Sequence, residues 1–249
     1  MEFSKISFQS VQAEWIKGPG NPQLNNTCHI WSINVRESIP DLDALKAFLT
    51  LEETDKAKKF HFQKDRDNYI VRRAHLRILL SKYIGVPAET IVFTTGSNKR
   101  PVLDSKFTDV PVFNLSHTDN VILIAVSDHD IGVDIERVNP DFDYSEILES
   151  NFTNDEINSI MTSNAPAEVF YRIWTRKEAI LKACSKGISN DLKSIQCLHD
   201  IELICKNLIQ ESWFVSTFNI NNQYVGSAAS SIDSTPEFFK VSSPEPLGK

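Results

Sequence analysis

The fold is decided near the middle of the chain, by the stretch Ile131-Gly132-Val133-Asp134-Ile135-Glu136. Its apolar and polar side chains alternate, which predicts a β-strand with two different faces. One face is apolar, whereas the other carries a glycine and two carboxylates roughly 7 Å apart. Carboxylates held this close raise each other's pKa, and a hard divalent cation such as Mg²⁺ relieves their repulsion. The alternative is a half-exposed strand with two solvated acids, which is common on sheet surfaces.

The composition is that of a globular protein. The chain has 249 residues, 41% of them hydrophobic and 24% charged, and fits one large domain or two lobes. Its longest apolar run, 121–126, is too short to span a bilayer, and the N-terminus lacks the apolar core of a secretory signal. The four cysteines show no zinc spacing. We therefore expect a cytoplasmic protein with reduced thiols and no membrane partner.

The charge is distributed unevenly along the chain. Residues 56–82 contain nine basic and two acidic side chains, although the net charge of the whole chain is −7. Proteins that bind nucleic acids usually carry excess positive charge over the whole domain. The local positive segment therefore predicts a small anionic ligand rather than nucleic acid.

Two helices carry the other polar side chains of interest. Apolar spacing predicts a helix over residues 67–84, with Arg66, Arg73 and Arg77 on another face. That face is either a solvated basic surface, which is the commoner case, or a phosphate-binding surface. A turn-rich loop further along the chain adds two cations, Lys99 and Arg100.

The second helix is predicted over residues 167–185. Lys177 lies on its apolar stripe, where an unpaired ammonium group is costly. Trp174, Glu178 and Lys182 are spaced by four and share an adjoining face. Glu178 and Lys182 are either an ordinary helix pair, which contributes a few tenths of a kcal/mol, or part of a site together with Lys177.

The remaining elements follow from local signals. Capping boxes at Thr50–Glu53 and Thr153–Glu156 predict two further helix starts. A three-residue hairpin turn is predicted at 128–130, leading into the acidic strand. Strands are predicted over 28–35, 91–95, 111–115 and 121–127, a turn over 116–120, and a last hairpin over 213–230 that turns at Asn221-Asn222.

Three motifs together resemble one family, the Sfp-type 4′-phosphopantetheinyl transferases. Phe113-Asn114-Leu115-Ser116-His117 is similar to its Phe-Asn-Leu/Ile-Ser-His element, and 131–136 to its Gly-x-Asp-x-Glu element. The segment 174–182 is similar to its Trp-x-x-Lys-Glu-(Ala/Ser)-x-x-Lys element. The resemblance implies transfer of the 4′-phosphopantetheine arm of coenzyme A to a serine of an apo acyl or peptidyl carrier protein, with release of adenosine 3′,5′-bisphosphate.

The resemblance also implies an α+β fold of two lobes related by a pseudo-twofold axis, with coenzyme A between them. We divide the chain into an N-terminal extension (1–26), an N-terminal lobe (27–127), a C-terminal lobe (128–232) with the metal site at the lobe interface, and a tail (233–249) that we expect to fray unless Phe238-Phe239 docks. Because a two-lobed chain forms its own cleft, we expect a monomer.

The resemblance assigns roles to individual residues. Mg²⁺, or Mn²⁺ in its place, would bind Asp134, Glu136 and Glu178, with Glu178 also the base. Lys182 would hold the pyrophosphate and assist the leaving group, and Lys177 would either fix the geometry or contact phosphate. The remaining coenzyme A ligands would be Lys56, Arg66, Arg100, Ser116 and His117.

Two departures from the family concern the 3′-phosphate. Asn68 stands where the family often has a basic residue, so that Arg66 or a neighbour would take over the contact. Arg100 replaces the lysine of a Gly-Lys-Pro loop and keeps its charge with a different geometry.

Two other functions fit the same residues. An Mg²⁺-dependent hydrolase of nucleotide pyrophosphates would use the carboxylates and the basic cleft without a carrier protein. A non-catalytic module would only bind coenzyme A or the carrier, although an intact set of carboxylates and Lys182 argues against it.

Overall fold

The computed structural model describes residues 3–96, 100–108, 110–184, 192–198, 203–206 and 212–241. The helices in these ranges are α1 (Val35–Ser38), α2 (Leu42–Lys46), α3 (Leu51–Lys58), α4 (Gln63–Ile84), α5 (Ser145–Asn151), α6 (Asn154–Met161) and α7 (Pro166–Ala183). The strands are β1 (Phe3–Ser10), β2 (Ile16–Lys17), β3 (Cys28–Asn34), β4 (Phe93–Thr95), β5 (Pro101–Leu103), β6 (Val112–Thr118), β7 (Val121–Ser127), β8 (Ile131–Arg137), β9 (Leu203–Lys206), β10 (Ser212–Ile220), β11 (Tyr224–Ser230) and β12 (Glu237–Lys240). Short 3₁₀ turns lie at Ile39–Asp41, Ala88–Thr90 and Leu192–Ser194.

The strands form two five-stranded sheets and one small hairpin. Sheet I has the order β2-β12-β3-β7-β6, sheet II has the order β8-β11-β10-β1-β9, and β4 pairs with β5. Runs of consecutive strands are separated by runs of consecutive helices, which confirms the predicted α+β class. Among the described residues, no helix has the length and apolar character that crossing a membrane requires.

The two sheets are stacked and each carries one long helix on its outer face. Helix α4 packs on sheet I through side chains such as Ile33, Ile122 and Leu79, and α7 packs on sheet II through side chains such as Ile180 and Trp213. A third group of buried apolar side chains lies between the two sheets. The chain is therefore a four-layer arrangement in which both sheets are covered on both faces.

The acidic strand β8 has the two-faced character that its alternation predicts. Ile131, Val133 and Ile135 are buried in the layer between the sheets. Gly132 and Asp134 are also buried, because the opposite face packs against α7. The alternative of a half-exposed strand with solvated acids does not hold for Asp134, which is 4% exposed.

The local helix signals are confirmed. Both capping boxes form. The hydroxyls of Thr50 and Thr153 accept from the backbone N–H of Glu53 and Glu156, and the glutamate side chains accept from the backbone N–H of the threonines. Helix α4 begins four residues before its predicted start and ends at Gly85, which adopts the left-handed conformation (φ 68°) that favours glycine.

Two local predictions were wrong. Residues 128–130 do not form a hairpin turn, because β7 belongs to sheet I whereas β8 pairs with β11 in sheet II. Strand β6 continues through Thr118, so that Ser116 and His117 lie on a strand paired with β7 rather than in a turn. The chain reverses only at Asp119 and Asn120, where Asp119 has a positive φ of 48°.

The two ends of the chain exchange sheets. Strand β1 runs parallel to β10 and antiparallel to β9 in sheet II, and β12 runs parallel to β3 in sheet I. Phe238 joins the layer between the sheets and Phe239 the layer under α4, so that residues 237–240 dock rather than fray. Residues 242–249 of the predicted tail lie outside the described residues.

Candidate active site

A glycine sets the distance between β8 and the end of α7. A side chain at Gly132 would overlap the carbonyl oxygen of Ala179 and the backbone nitrogen of Ala183. Because glycine has no Cβ, the last turn of α7 lies directly on the strand. This contact brings Lys182, on that last turn, next to Asp134.

Asp134 is the centre of a hydrogen-bonded cluster. Its Oδ1 accepts from Lys182 Nζ at 2.6 Å and from Ser116 Oγ at 2.8 Å. Lys182 Nζ also donates to Ser116 Oγ at 3.0 Å and to the carbonyl oxygen of Val133 at 3.2 Å. Asp134 Oδ2 is buried and has no hydrogen-bond partner among the described residues.

Two further carboxylates lie close enough to Asp134 to feel its charge. Burial and the charge of Asp134 raise the pKa of Glu136 to about 7, against the opposing effect of Lys182. Burial and Asp134 also raise the pKa of Glu178, which Lys182 and Arg100 counteract. Trp174 hydrogen-bonds to Glu136. The cluster is therefore an anionic site with Lys182 as its nearest cation.

A cavity of about 720 Å³ lies next to this cluster, and Lys182 belongs to its wall. The wall is built from α3, α4, the β4–β5 hairpin, β6 and the ends of β8 and α7, so that both sheets contribute. The charged side chains on the wall are Glu52, Glu53, Lys56, Arg72, Arg73, Arg100, Asp130 and Lys182. A volume of this size suits a ligand as large as a nucleotide.

One arginine on this wall, Arg73, is held together with the buried Arg77 by one carboxylate. Glu53 accepts from Arg73 Nε and from Arg77 Nε and Nη2, the last two at 2.8 and 3.0 Å. Burial disfavours its charge, but the bonds from Arg77, Thr50 and Arg73 hold the pKa of Glu53 below its ordinary value. The predicted basic face of α4 is thus partly structural.

Two families of known proteins match successive parts of the chain. Residues 36–129 match the N-terminal part of 4′-phosphopantetheinyl transferases, and residues 130–229 match the 4′-phosphopantetheinyl transferase superfamily. The 4′-phosphopantetheinyl transferase HetI of Nostoc sp. is 32% identical over 184 residues, which cover 72% of this chain and 78% of the relative. The 4′-phosphopantetheinyl transferase psf-1 of Bacillus pumilus is 32% identical over 165 residues (65% and 67%), and Sfp of Bacillus subtilis is 26% identical over 152 residues (59% and 65%).

The chain belongs to the 4′-phosphopantetheinyl transferase superfamily. The three sequence motifs of this family come together at one place in the structure. Ser116 from the first motif, Asp134 from the second and Lys182 from the third form the hydrogen-bonded cluster. An asparagine of the first motif also crosses between the sheets, since Asn114 Oδ1 accepts from the backbone N–H of Val133 at 3.0 Å.

Lys177 is the sequence-selected residue whose placement differs most from a ligand-binding role. It is 0% exposed and its Nζ lies 3.0 Å from Glu156 Oε2. It also donates to the carbonyl oxygens of Leu192, at 2.9 Å, and Ile195. Because all of these partners are protein atoms in the core, we withdraw phosphate contact and retain the alternative that Lys177 fixes the geometry.

Arg66 also lies away from the cavity of this transferase-family chain. Its guanidinium donates to Gln63 Oε1 at 3.1 Å and to the carbonyl oxygen of Phe60 at 3.2 Å, and it does not contribute to the cavity wall described above. Arg72, one helical turn after Asn68, does contribute. The sequence places Arg72 within the basic segment but predicts Arg66 or a neighbour as the ligand, because the helix pattern alone does not show which side of α4 faces the cavity.

The basic end of the cavity contains a tyrosine between two cations. Lys56 Nζ lies 5.5 Å and the Arg72 guanidinium 6.0 Å from the centre of the Tyr69 ring. His117 lies on the exposed side of β6. Partial loss of hydration and then the cations of Arg72 and Lys182 lower the pKa of His117 below its ordinary value.

Arg100 lies where the cavity meets the end of α7. Its guanidinium donates to the carbonyl oxygens of Lys182 and Leu181, which are among the unpaired carbonyls of that helix end. Its neighbours at 97–99 lie outside the described residues. Arg100 is thus placed to hold the helix end, to face a ligand in the cavity, or both.

The carboxylates fit a hard metal ion by chemistry. Asp134, Glu136 and Glu178 offer the carboxylate oxygens that hard cations prefer. Oδ2 of Asp134 is buried and has no hydrogen-bond partner among the described residues. Among the described residues, however, no three acidic, histidine or cysteine side chains are already arranged to hold a metal ion. Lys182 neutralises part of the charge of Asp134 through its other oxygen, Oδ1.

Proposed function

We propose that this protein transfers the 4′-phosphopantetheine arm of coenzyme A to a serine hydroxyl of an apo acyl or peptidyl carrier protein and releases adenosine 3′,5′-bisphosphate. The observation that carries the proposal is the convergence of Ser116, Asp134 and Lys182 beside a cation-lined cavity. Membership of the transferase superfamily supports the same reaction.

Coenzyme A would lie in the cavity with its phosphates on the cations. Lys182 faces the pyrophosphate from the end of α7, because it is the cavity cation in contact with the carboxylate cluster. Lys56 and Arg72 offer positive charge to the 3′-phosphate at the other end, and His117 offers a ring N–H. Arg72 takes the place that the sequence assigned to Arg66.

Asp134, Glu136 and Glu178 would hold Mg²⁺, and Mn²⁺ could replace it because all donors are hard oxygens. When bound, the ion would neutralise charge on the phosphate oxygens of coenzyme A. The buried, unpartnered Oδ2 of Asp134 supports this assignment.

The serine oxygen of the carrier attacks the phosphorus on the pantetheine side of the pyrophosphate. The new bond is O–P, and the broken bond is that from the same phosphorus to the bridging oxygen, which leaves with adenosine 3′,5′-bisphosphate. Glu178 accepts the serine proton, directly or through a water. Its raised pKa suits this role, since a base works best when its pKa is near the working pH. Lys182 stabilises the departing phosphate.

Product analysis separates this reaction from hydrolysis. The protein is incubated with coenzyme A and Mg²⁺, with and without apo carrier protein, and adenosine 3′,5′-bisphosphate is measured by chromatography. Transfer predicts release that requires the carrier and equals the amount of carrier modified. Release without carrier would instead establish the hydrolase, and no release with any carrier type would favour a binding module.

The cavity is formed by one chain, which supports action as a monomer. We propose a cytoplasmic site of action, where coenzyme A and apo carrier proteins meet.

A further inference from the structure

Lys182 holds the carboxylate that a metal ion would need. Its ammonium group is an ion-pair partner of Asp134 at 2.6 Å, and it also engages Ser116 Oγ and the Val133 carbonyl oxygen. Ser116 Oγ donates to the same Asp134 oxygen. Asp134 Oδ1 is therefore saturated by protein donors, and its other oxygen is buried.

Lys182 is also a cation that both of the other carboxylates feel. It opposes the rise in pKa of both Glu136 and Glu178. One ammonium group thus offsets part of a charge of up to −3. A divalent cation that entered while Lys182 remained would bring two positive centres to one carboxylate, which costs Coulomb energy.

Lys182 has room to leave, unlike the other lysine of its motif. Its side chain is 22% exposed and contributes to the cavity wall, whereas Lys177 is 0% exposed and enclosed by core partners. An anion in the cavity would give the ammonium group a new partner without burying an unpaired charge.

We propose that Lys182 is an internal counter-ion that neutralises Asp134 in the absence of the metal ion and leaves it when a pyrophosphate enters the cavity. Coenzyme A draws Lys182 away from Asp134 and frees the carboxylate for the metal ion, and the metal ion frees Lys182 for the pyrophosphate. Metal ion and coenzyme A therefore strengthen each other's binding. This inference rests on the proposed function, since it takes the pyrophosphate of coenzyme A as the incoming anion.

Metal binding measured without turnover tests the inference. Free Mn²⁺ is followed by electron paramagnetic resonance as protein is added, with and without coenzyme A and with no carrier protein, so that no transfer occurs. A titration of coenzyme A alone corrects for Mn²⁺ that it binds in solution. For the unchanged protein we expect coenzyme A to tighten Mn²⁺ binding by about tenfold or more.

Lys182→Met removes the counter-ion and keeps the length of the side chain. We expect this variant to bind Mn²⁺ alone about tenfold more tightly than the unchanged protein, and to lose most of the enhancement by coenzyme A. Lys182→Gln gives a second variant that retains a donor for Ser116 and should behave alike. Lys59→Met, which removes an exposed lysine that is not on the cavity wall, should leave binding of Mn²⁺ alone nearly unchanged.

The outcomes separate the inference from the function beneath it. Equal or weaker Mn²⁺ binding by both folded Lys182 variants, with normal enhancement in the unchanged protein, would overturn the counter-ion role and leave the proposed transfer intact. Absence of Mn²⁺ binding to the unchanged protein even with coenzyme A would overturn both the counter-ion role and the metal assignment. Circular dichroism confirms that each variant is folded.

Discussion

At the scale of single residues, Asp134 connects the groups of the site. It accepts hydrogen bonds from Ser116 and Lys182, and its charge raises the pKa of Glu136 and Glu178. Its position follows from β8 alone: the strand alternation turns it towards α7, and the glycine two residues earlier lets the helix approach. For activity, the negative charge at this position should therefore matter more than the size of the side chain.

Asp134→Asn tests this at constant size. We expect the rate of carrier modification to fall by about 100-fold or more, because the variant loses the negative charge that would hold the proposed metal ion. Asp128→Asn, the same substitution in the exposed connection between β7 and β8, should leave the rate unchanged. Full activity of the Asp134 variant with an unaltered circular dichroism spectrum would refute the metal assignment.

Arg72 and Arg66 can be distinguished by their effect on the 3′-phosphate. We expect Arg72→Met to raise KM for coenzyme A by about tenfold, the loss of one charge-assisted bond, and to leave KM for 3′-dephospho-coenzyme A unchanged. Arg66→Met should alter neither value, because its guanidinium lies outside the cavity wall. The reverse pattern would restore Arg66 as the phosphate ligand.

At the scale of elements, the contact between β8 and α7 aligns the second and third motifs. Gly132→Ala would push the end of α7 off the strand, since a Cβ has no space there. We expect it to lower the free energy of unfolding by about 1–3 kcal/mol and to reduce transfer. Gly20→Ala is the matched control, because a Cβ at Gly20 meets nothing within 4 Å. Urea denaturation and carrier modification measure both effects.

Two helix pairs, α3 with α4 and α6 with α7, join a short helix to a long one by the same kind of ion pair. The capping-box glutamate of α3, Glu53, pairs with Arg73 and Arg77 of α4, and that of α6, Glu156, pairs with Lys177 of α7. Each glutamate thus caps the start of a short helix and holds the following long helix by an ion pair. This correspondence supports the proposed pseudo-twofold relation between the lobes.

Removing one partner of the buried pair should be costly. We expect Lys177→Met to lower the free energy of unfolding by about 3–5 kcal/mol, because Glu156 is left charged in the core. The double variant with Glu156→Gln should recover part of that loss. If Lys177→Met were as stable as the unchanged protein in urea, the pair would not stabilise α7.

Local patterns in the sequence predicted the elements better than their partners. The alternation of β8, both capping boxes and the end of α4 follow from neighbouring residues, and each is found. The role of Lys177 depends on Glu156 and on carbonyls more than ten residues away, which no helix period reveals. The failed hairpin at 128–130 has the same cause, since the partner of β8 is β11.

At the scale of the whole molecule, the exchange of chain ends ties the two sheets together. Strand β12 lies against β3, where Glu237 Oε2 is 3.8 Å from His29 Nε2. His29 is 2% exposed, and its Nδ1 lies 2.7 Å from the Tyr83 hydroxyl, which accepts from Trp31. A sequence pattern could not place these ends, because their partners lie about 200 residues away.

This junction predicts a dependence of stability on pH. Burial lowers the pKa of His29 to about 4, whereas an unfolded histidine titrates near 6.5. Below about pH 6.5 the unfolded state binds more protons, so the contribution of His29 is complete above that pH and is lost as the pH falls towards 4. His29→Asn should therefore lose less stability than the unchanged protein between pH 6.5 and 4, by roughly 2–3 kcal/mol. His61→Asn, an exposed control, should not differ from the unchanged protein in urea unfolding curves across this range.

The most direct test of the central claim is the intact mass of an apo carrier protein after incubation with this protein, coenzyme A and Mg²⁺. The account predicts the gain of one phosphopantetheine per carrier, no gain on a carrier whose acceptor serine is alanine, and a gain reduced at least about 100-fold with Glu178→Gln. An unmodified carrier of every type, with the protein folded and coenzyme A present, would contradict the transfer. A normal gain with Glu178→Gln would contradict the role of its carboxylate.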